Sequence, residues 1–564
     1  STINDVENTG DVSSSKQNGN DYYDAGNVGG IVGSAVDTNI SNATNRENEV
    51  RGAHNVGGVA GYFGNSNDDN NIKYTINRGI NDGGDIMATG ARKESSFVTE
   101  IIRPSNENQT EEFIIGNIGG IAGYMDGDNV YITGSGNRGT VHTDEPADPA
   151  DVKEWQKAAN VGGVVGKIDR SNTKQLNSQN EIVDASGNKA QAAVSDSYNT
   201  GDVLGYTGIG GIAGLMYNGE IAGSYNLGYL RSTRQSRIGS ATGGTTEIID
   251  ALNMGGIVGD TTENSGATVL LYDVYNKGQI GDKEFNYFGR HVGGVVGRLS
   301  GTVEKAYNTG AIYNGYNVVG GIAGWVATGT IQNAFNTGNI TVYNQNESTS
   351  QVGGIAGAAN GAGNVLINNV YNLGTLRSFD IGYGKNAVAG ILGTASGQGT
   401  VTIKNAYTTG NLYSGVKSDN SFVEDMASIS ADKGTNRKVS SMYASTEWNA
   451  NVDASHNTYY IKPDIVNNEH LFTVVNDNTA SQAVEFANKS SHAYNFDAEI
   501  TRPDKTTGLV DESSAWRIYE GNTPILNAFL PNSENYFSGE TGSTNAMNGI
   551  GSIQYGTAYD PLLT

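Results

Sequence analysis

The residues of this sequence best equipped for chemistry are two acidic loops, six histidines and a set of glycine-rich pentapeptides. Asp68 and Asp69 lie in Asn65-Ser66-Asn67-Asp68-Asp69-Asn70-Asn71, and Asp126 and Asp128 in Asp126-Gly127-Asp128-Asn129. Oxygen-rich loops of this kind can hold Ca²⁺, which takes about six to eight oxygen ligands, but neither matches a complete calcium loop. Both read first as solvated turns, the usual setting for Asp and Asn. Calcium is the only cofactor they suggest, and thermal stability unchanged by a chelator would remove it.

His54, His142, His291, His456, His470 and His492 are scattered, with no spacing that suggests a metal site. His291 stands where an Asn often precedes a Gly-Gly pair, which favours a structural role. A glycosidase or lyase would need two carboxylates, or a carboxylate cluster with a base, converging on one face. With 59 acidic residues, such pairs arise by chance. No Ser/His/Asp grouping emerges, so no catalytic residue is assigned. Tyr22, Tyr23 and Tyr287, in polar insertions, are candidates to stack on sugar rings.

The pentapeptide Gly-Gly-(Ile/Val)-(Ala/Val)-Gly begins at Gly29, Gly57, Gly119, Gly162, Gly210, Gly255, Gly293, Gly320 and Gly353, with a degraded copy at Ala389-Gly390-Ile391-Leu392-Gly393. A phosphate-cradling loop would need a helix N-terminus immediately after it, and no helix-like segment follows. Ten copies cannot all be cofactor sites, so the glycines read as structural. The residue before each pair is apolar, as at Val28, Ile118 and Met254.

A second signature, an aromatic residue followed by Asn-x-Gly, begins at Tyr198, Tyr225, Tyr275, Tyr307, Phe335 and Tyr371, and Tyr407-Thr408-Thr409-Gly410 closes the series. The two motifs alternate, so one repeat carries both. The shortest repeat, from Gly293 to Gly320, holds three strand-like pieces, around Val295, Val303-Tyr307 and Ala311-Tyr313, separated by Gly and Asn turn signals. The expectation is an all-β chain, a right-handed parallel β-solenoid (β-helix) of about ten triangular coils with loop insertions. Each coil buries its inward side chains against its neighbours, and one coil alone would not fold. Glycine allows close approach of a neighbouring backbone or a positive-φ bend. Asn at the Asn-x-Gly corners is expected to tolerate left-handed conformations and to bond local backbone. The aromatic residues at equivalent positions are expected to form a ladder.

The alternation of Val-Gly-Gly-Ile-Ala-Gly with Tyr-Asn-Thr-Gly resembles the GLUG repeat over about residues 6–410. Trp516-Arg517-Ile518-Tyr519-Glu520-Gly521-Asn522-Thr523-Pro524-Ile525-Leu526 resembles the segment that closes GLUG regions in filamentous-haemagglutinin-like exoproteins, including two-partner-secretion adhesins. The resemblance implies a β-helical adhesin or stalk of bacterial surfaces and carries no catalytic residue across. GLUG repeats also resemble those of IgA-specific metallopeptidases, but the His-Glu-x-x-His helix that such enzymes need is missing from the sequence.

Composition agrees with an ordered, glycine-rich β protein: 79 glycines, 8 prolines, 37% hydrophobic residues, 30 tyrosines and 13 phenylalanines. A formal charge of −24 argues against nucleic acid and anionic membranes as partners, because both require clustered Lys and Arg. There are no cysteines, hence no disulfides or thiolate metal sites. No apolar run approaches the roughly 20 residues of a membrane helix. The start at Ser1 lacks the basic and apolar regions of a signal peptide and reads as the interior of a longer protein, with any targeting signal upstream.

The expected organisation is a solenoid over 1–410, terminal coils and a C-terminal cap over 411–531, and a linker towards a further module over 532–564. Met442-Tyr443, Thr458-Tyr459-Tyr460-Ile461 and Leu471-Phe472-Thr473-Val474-Val475 read as strands of the terminal coils. Polar insertions at 81–115, 141–158, 169–194 and 230–251 decorate the first half and are the expected place for partners to bind. The function expected is a secreted or cell-surface, extracellular, non-catalytic adhesin or stalk that binds host protein, glycan or sibling molecules. Alternatives are a polysaccharide-active β-helix enzyme and a subunit that self-associates end to end into a filament or surface layer.

Overall fold

The computed structural model describes residues 1–416 apart from the inner parts of the insertions, chiefly 67–71, 93–100, 103–112, 144–158, 233–252, 262–268, 284–288, 345–349 and 381–385. Beyond 416 it describes short strands between Arg437 and Leu526 and the turn Asn527–Phe529. The chain divides into two compact units. The first holds Ser1–Thr302, Gly310–Val318 and Ala323–Trp325; the second holds Val303–Thr309, Val319–Ile322 and Val326–Thr564. The repeat spacing does not mark this division.

The first unit is a parallel β-solenoid. One coil lays down four strand segments, as in Asn27–Gly29, Val32–Val36, Asn39–Arg46 and Glu49–Gly52. The three strand-like pieces read from the sequence become four because the Gly-Gly pair breaks the first of them in two. Each segment pairs in parallel with its equivalent one coil on. Asn27–Gly29 is followed by Asn55–Gly57, Gly116–Gly119 and Ala159–Gly162, and the same row continues through Gly208–Gly210 and Asn253–Gly255 to His291–Gly293. Val28, Val56, Ile118, Val161, Ile209, Met254 and Val292 form the inward row of this sheet and are buried. β-Branched side chains suit that row because they fill a pleated, enclosed surface.

The motif glycines answer to steric crowding. A Cβ on Gly57 would collide with the Ala60 carbonyl oxygen, and one on Gly58 with the Gly120 carbonyl oxygen of the next coil. Positive φ falls elsewhere in the coil, at Asn42, Arg78, Asp196 and Asp273, with Gly134 and Gly223 at the same place in two other coils. The second unit repeats this at Lys305, Asn333 and Asn369. The corner therefore lies three residues before the motif Asn, which is not itself left-handed. The expectation of a left-handed Asn at the Asn-x-Gly corner is corrected: that Asn points inward.

Its amide builds an internal ladder. In the first unit Asn45, Asn81, Asn137, Asn199, Asn226 and Asn276 are fully buried, and each donates from Nδ2 to the Oδ1 of the next, with Asn199 to Asn226 and Asn226 to Asn276 both at 2.7 Å. The same Nδ2 also donates to the glycine carbonyl two residues on, as Asn199 does to Gly201 at 2.8 Å, so the expected local backbone bond is present. Buried amides are tolerated because every one is paired.

The second unit is also a parallel solenoid. Val365–Asn372 pairs with Thr400–Thr408, Ser350–Gly353 with Asn386–Ala389, and Ile340–Asn344 with Leu376–Asp380. Its amide ladder runs Asn308, Asn336, Asn372 and ends on Thr408 Oγ1. Parallel pairing continues past residue 410, through Leu412–Val416 and Arg437–Ser440, before Trp448–Asn451 lies antiparallel on Thr400–Ile403. A reversed strand there occupies a ladder edge that would otherwise be open. Phe472–Thr473 is a strand, whereas Met442-Tyr443, Thr458-Tyr459-Tyr460-Ile461 and the span 532–564 lie outside the described residues.

The insertions are shorter than the sequence suggests. Asn81, Ile86, Val141, Val194 and Leu230 are fully buried coil residues, so the decorations begin after them. Lys16–Asn18, Asp21–Tyr23, Ala91–Arg92, Ile101–Ile102 and Phe113–Ile114 come from two separate insertions and pair into one small sheet. Among the described residues no helix is long and apolar enough to cross a membrane.

Candidate functional site

In the first unit the strand after each Gly-Gly pair turns one residue outward at the same register. Ser34, Tyr62, Tyr124, Lys167, Leu215, Asp260 and Arg298 follow one another along the solenoid. Beside them runs the row Asn27, Asn55, Asn117 and Asn160, whose amides bond at 2.8 to 2.9 Å; it continues through Gly208 to Asn253 and His291. Gly208 is the place where this second amide ladder is interrupted.

At the N-terminal end of the outward row, Tyr62 Oη donates to Asp126 Oδ2 at 2.9 Å and Tyr124 Oη to Asp169 Oδ2 at 3.3 Å. Lys167 is buried, with Nζ 4.9 Å from the Tyr124 ring centre, 4.6 Å from that of Tyr217 and 3.5 Å from Asp169 Oδ2. Two π faces and one carboxylate thus solvate the ammonium.

At the other end the two rows touch. Asn253 Nδ2 donates to Asp260 Oδ2 at 2.6 Å, and Asn253 Oδ1 lies 2.7 Å from His291 Nδ1. Because Asp260 can only accept there, the Asn253 amide orientation is fixed, so Nδ1 of His291 carries the proton. Burial, with the charges of Arg290 and Arg298 behind it, lowers the His291 pKa to about 3, so the ring is neutral and Nε2 is an acceptor. The Trp325 ring centre stands 4.8 Å from that of His291 and 4.7 Å from Arg298 Cζ. The Arg298 carbonyl accepts from Thr261, but its guanidinium has no hydrogen-bond or ion-pair partner among the described residues, and Trp325 Nε1 and Arg298 Nε are buried without acceptors.

The acidic candidates separate. Asp126 turns to Tyr62, while Asp128 accepts both the backbone N–H and the hydroxyl of Ser171. Arg170 donates to the Asp128 carbonyl and pairs at 3.5 Å with Glu220, both side chains being buried. Asp68 and Asp69 lie outside the described residues, as do His456, His470, His492 and Tyr287, and nothing is described of the Tyr22 and Tyr23 side chains. His142 meets Asp85 at 2.9 Å. Among the described residues no group of three or more His, Asp or Glu side chains is placed to hold a metal ion.

The aromatic motif residues stack. In the first unit Tyr198, Tyr225 and Tyr275 lie 5.7 and 5.0 Å apart with near-parallel rings; in the second, Tyr307, Phe335 and Tyr371 lie 5.0 and 4.9 Å apart. Tyr407 follows Tyr371 in register. Inside a stack each ring faces its neighbours, so these residues cannot offer their faces to a sugar.

Sequence reasoning missed the His291–Arg298–Trp325 contact, since the three residues belong to different strands. Their signal was departure from the repeat: His for Asn, and Arg and Trp at an outward position that varies from coil to coil.

Over 193 residues the chain is 25% identical to Halomucin from Haloquadratum walsbyi (strain DSM 16790 / HBSQ001), a stretch covering 33% of this chain and 2% of that protein. The matched stretch is therefore a very small part of that protein. No family model matches the chain, and no solved structure matches it.

Proposed function

We propose that this chain is a GLUG-type surface protein: a secreted or cell-surface, extracellular adhesin or structural stalk without catalytic activity, binding host protein, glycan or sibling molecules. One observation carries the reading. Coil after coil, the inward positions hold the same chemistry, apolar side chains plus a paired Asn, while the outward row changes from Tyr to Lys, Asp and Arg. A scaffold that spends its interior on stacking and varies its exterior suits spacing and recognition. The resemblance of the repeats to GLUG exoproteins supports the same reading.

The test is a glycan and host-protein binding screen on the whole chain and on chains lacking 93–112 or 233–251, bounds that spare the buried coil residues. Loss of binding on deletion is expected if the insertions make the contacts. Release of sugars from a polysaccharide panel would overturn the non-catalytic reading.

A further inference from the structure

We propose that His291, Arg298 and Trp325 form a binding site for an acidic saccharide, one whose carboxylate meets Arg298 and whose neighbouring hydroxyl donates to His291. This deepens the reading of the chain as a recognition surface and rests on it, but it moves one contact from the insertions to the coil itself.

The first group is a cation without a paired carboxylate. In a chain of net charge −24, Arg298 lies against the Trp325 ring with no carboxylate paired to it among the described residues. Asp260, its register partner one coil back, accepts at Oδ2 from Asn253 Nδ2 instead. Of the guanidinium nitrogens only Nε is buried without a partner, so the Nη pair is the part open to a ligand. A guanidinium fork held over an aromatic ring is pre-organised for a carboxylate.

The second group is an acceptor of fixed identity. His291 commits Nδ1–H to Asn253 Oδ1, and no described residue donates to Nε2. A neutral Nε2 takes a hydroxyl proton and rejects a second carboxylate. Both groups stand within 4.8 Å of one indole, so a ligand using both must carry an anion and a hydroxyl close together. A uronate ring has this pairing, whereas an aspartate or glutamate side chain has only the carboxylate. Trp325 acts as a positioning residue for Arg298.

The experiment is titration calorimetry of the full chain with oligogalacturonate, its methyl ester, a sulfated neutral oligosaccharide and poly-aspartate. The acid is expected to bind at least about tenfold more tightly than the ester, the loss of one charged hydrogen-bonded contact. Arg298→Ala should bring the acid to the level of the ester and Arg298→Lys should recover part of it. His291→Asn, the residue at this place in other coils, should weaken the acid severalfold, and Trp325→Phe should keep most of the binding. Unaltered melting of each variant shows that the coil is intact. Equal binding of acid and ester, tighter binding of the sulfated sugar or of poly-aspartate, or an unchanged Arg298→Ala would overturn the proposal. Loss of oligogalacturonate binding in the chain lacking 233–251 with Arg298 intact would return recognition of this ligand to the insertions and overturn the coil site, while leaving the surface role standing.

Discussion

The aromatic row of the repeat has two forms in this molecule. In the first unit Tyr198 and Tyr225 are half-buried, and Arg138 Nε donates to Tyr198 Oη at 3.0 Å. In the second unit Phe335 and Tyr371 are 2% and 1% exposed, and Phe529 meets Tyr307 and Phe335 edge-on at 5.7 and 4.8 Å. The ring-to-ring stacking is nearly the same in both. What differs is the cover, which comes from a residue almost two hundred positions away in the chain. The same motif is therefore wet at Tyr198 and Tyr225 and dry at Tyr275, Phe335 and Tyr371, and in the second unit the turn at Phe529 supplies part of the cover. Phe replaces Tyr once in the series, at 335, inside the dry row.

If the rows differ only in their cover, the interiors beneath them should respond alike. Asn226→Ala, in the first unit, strands the amide of Asn199 and the acceptor of Asn276 and should cost about 3 kcal/mol. Asn372→Ala should cost about 2 kcal/mol, because its ladder ends one step later on Thr408. Urea unfolding followed by circular dichroism measures both. A cost under about 1 kcal/mol at either site would show that the amides do not hold the coils together. Removing the cover should separate the units. Phe529→Ala is expected to cost about 2 kcal/mol and to speed amide exchange around Phe335 while leaving Tyr225 unchanged. Unchanged exchange at Phe335 would break the comparison.

The wet and dry rows also show how far the sequence could be read. The Gly-Gly and Tyr-Asn-x-Gly motifs recur at one place in each coil, and recurrence alone gives the parallel solenoid and the stacked aromatics. The inward course of Asn199 or Asn226 was hidden because a polar residue beside a glycine reads as a solvated corner. Its signal was there all the same: the amide returns in nearly every copy while its neighbours change, which a solvated corner would not require. The true left-handed corner was masked by its variety, with Arg78, Asp196 and Lys305 all occupying it. Phe529 carried no local signal, since its partners lie in coils far back along the chain. The site at His291, Arg298 and Trp325 needed the register between coils, and the irregular spacing of the Gly-Gly pairs conceals that register.

Titration should sharpen the contrast, since burial shifts a histidine in the first unit and a glutamate in the second, in directions that favour the neutral form of each. His291, in the first unit, has its pKa lowered to about 3 from 6.5 by burial first and the nearby arginines second. The unfolded chain then binds the extra proton between those values, so this unit loses stability as pH falls below about 6.5, by up to about 1.4 kcal/mol per pH unit. Glu304, in the second unit, is raised above 4.5 by burial, against hydrogen bonds that include Asn333 at 2.7 Å. Its contribution is complete below the unfolded value and is lost as pH rises through the raised one. Exchange-resolved stability from pH 4 to 7 should therefore move in opposite directions at these two sites. His291→Asn should flatten the first slope and Glu304→Gln the second; parallel slopes in the wild type would contradict the assignment.

The smallest effect tests the rows themselves. Tyr198→Phe removes a hydroxyl whose partner is the well-exposed Arg138, so water can replace the bond, and the cost should stay within about 0.5 kcal/mol. Phe335→Tyr inserts a hydroxyl where the ring is 2% exposed and Phe529 stands edge-on, so the new group must displace that edge or go unpaired, at about 1 kcal/mol. Both exchanges alter one oxygen atom on the same stacked ring position. Equal costs would mean that cover does not matter to the ladder, whereas the expected inequality, and its disappearance when Phe335→Tyr is combined with Phe529→Ala, would assign the difference to the C-terminal turn.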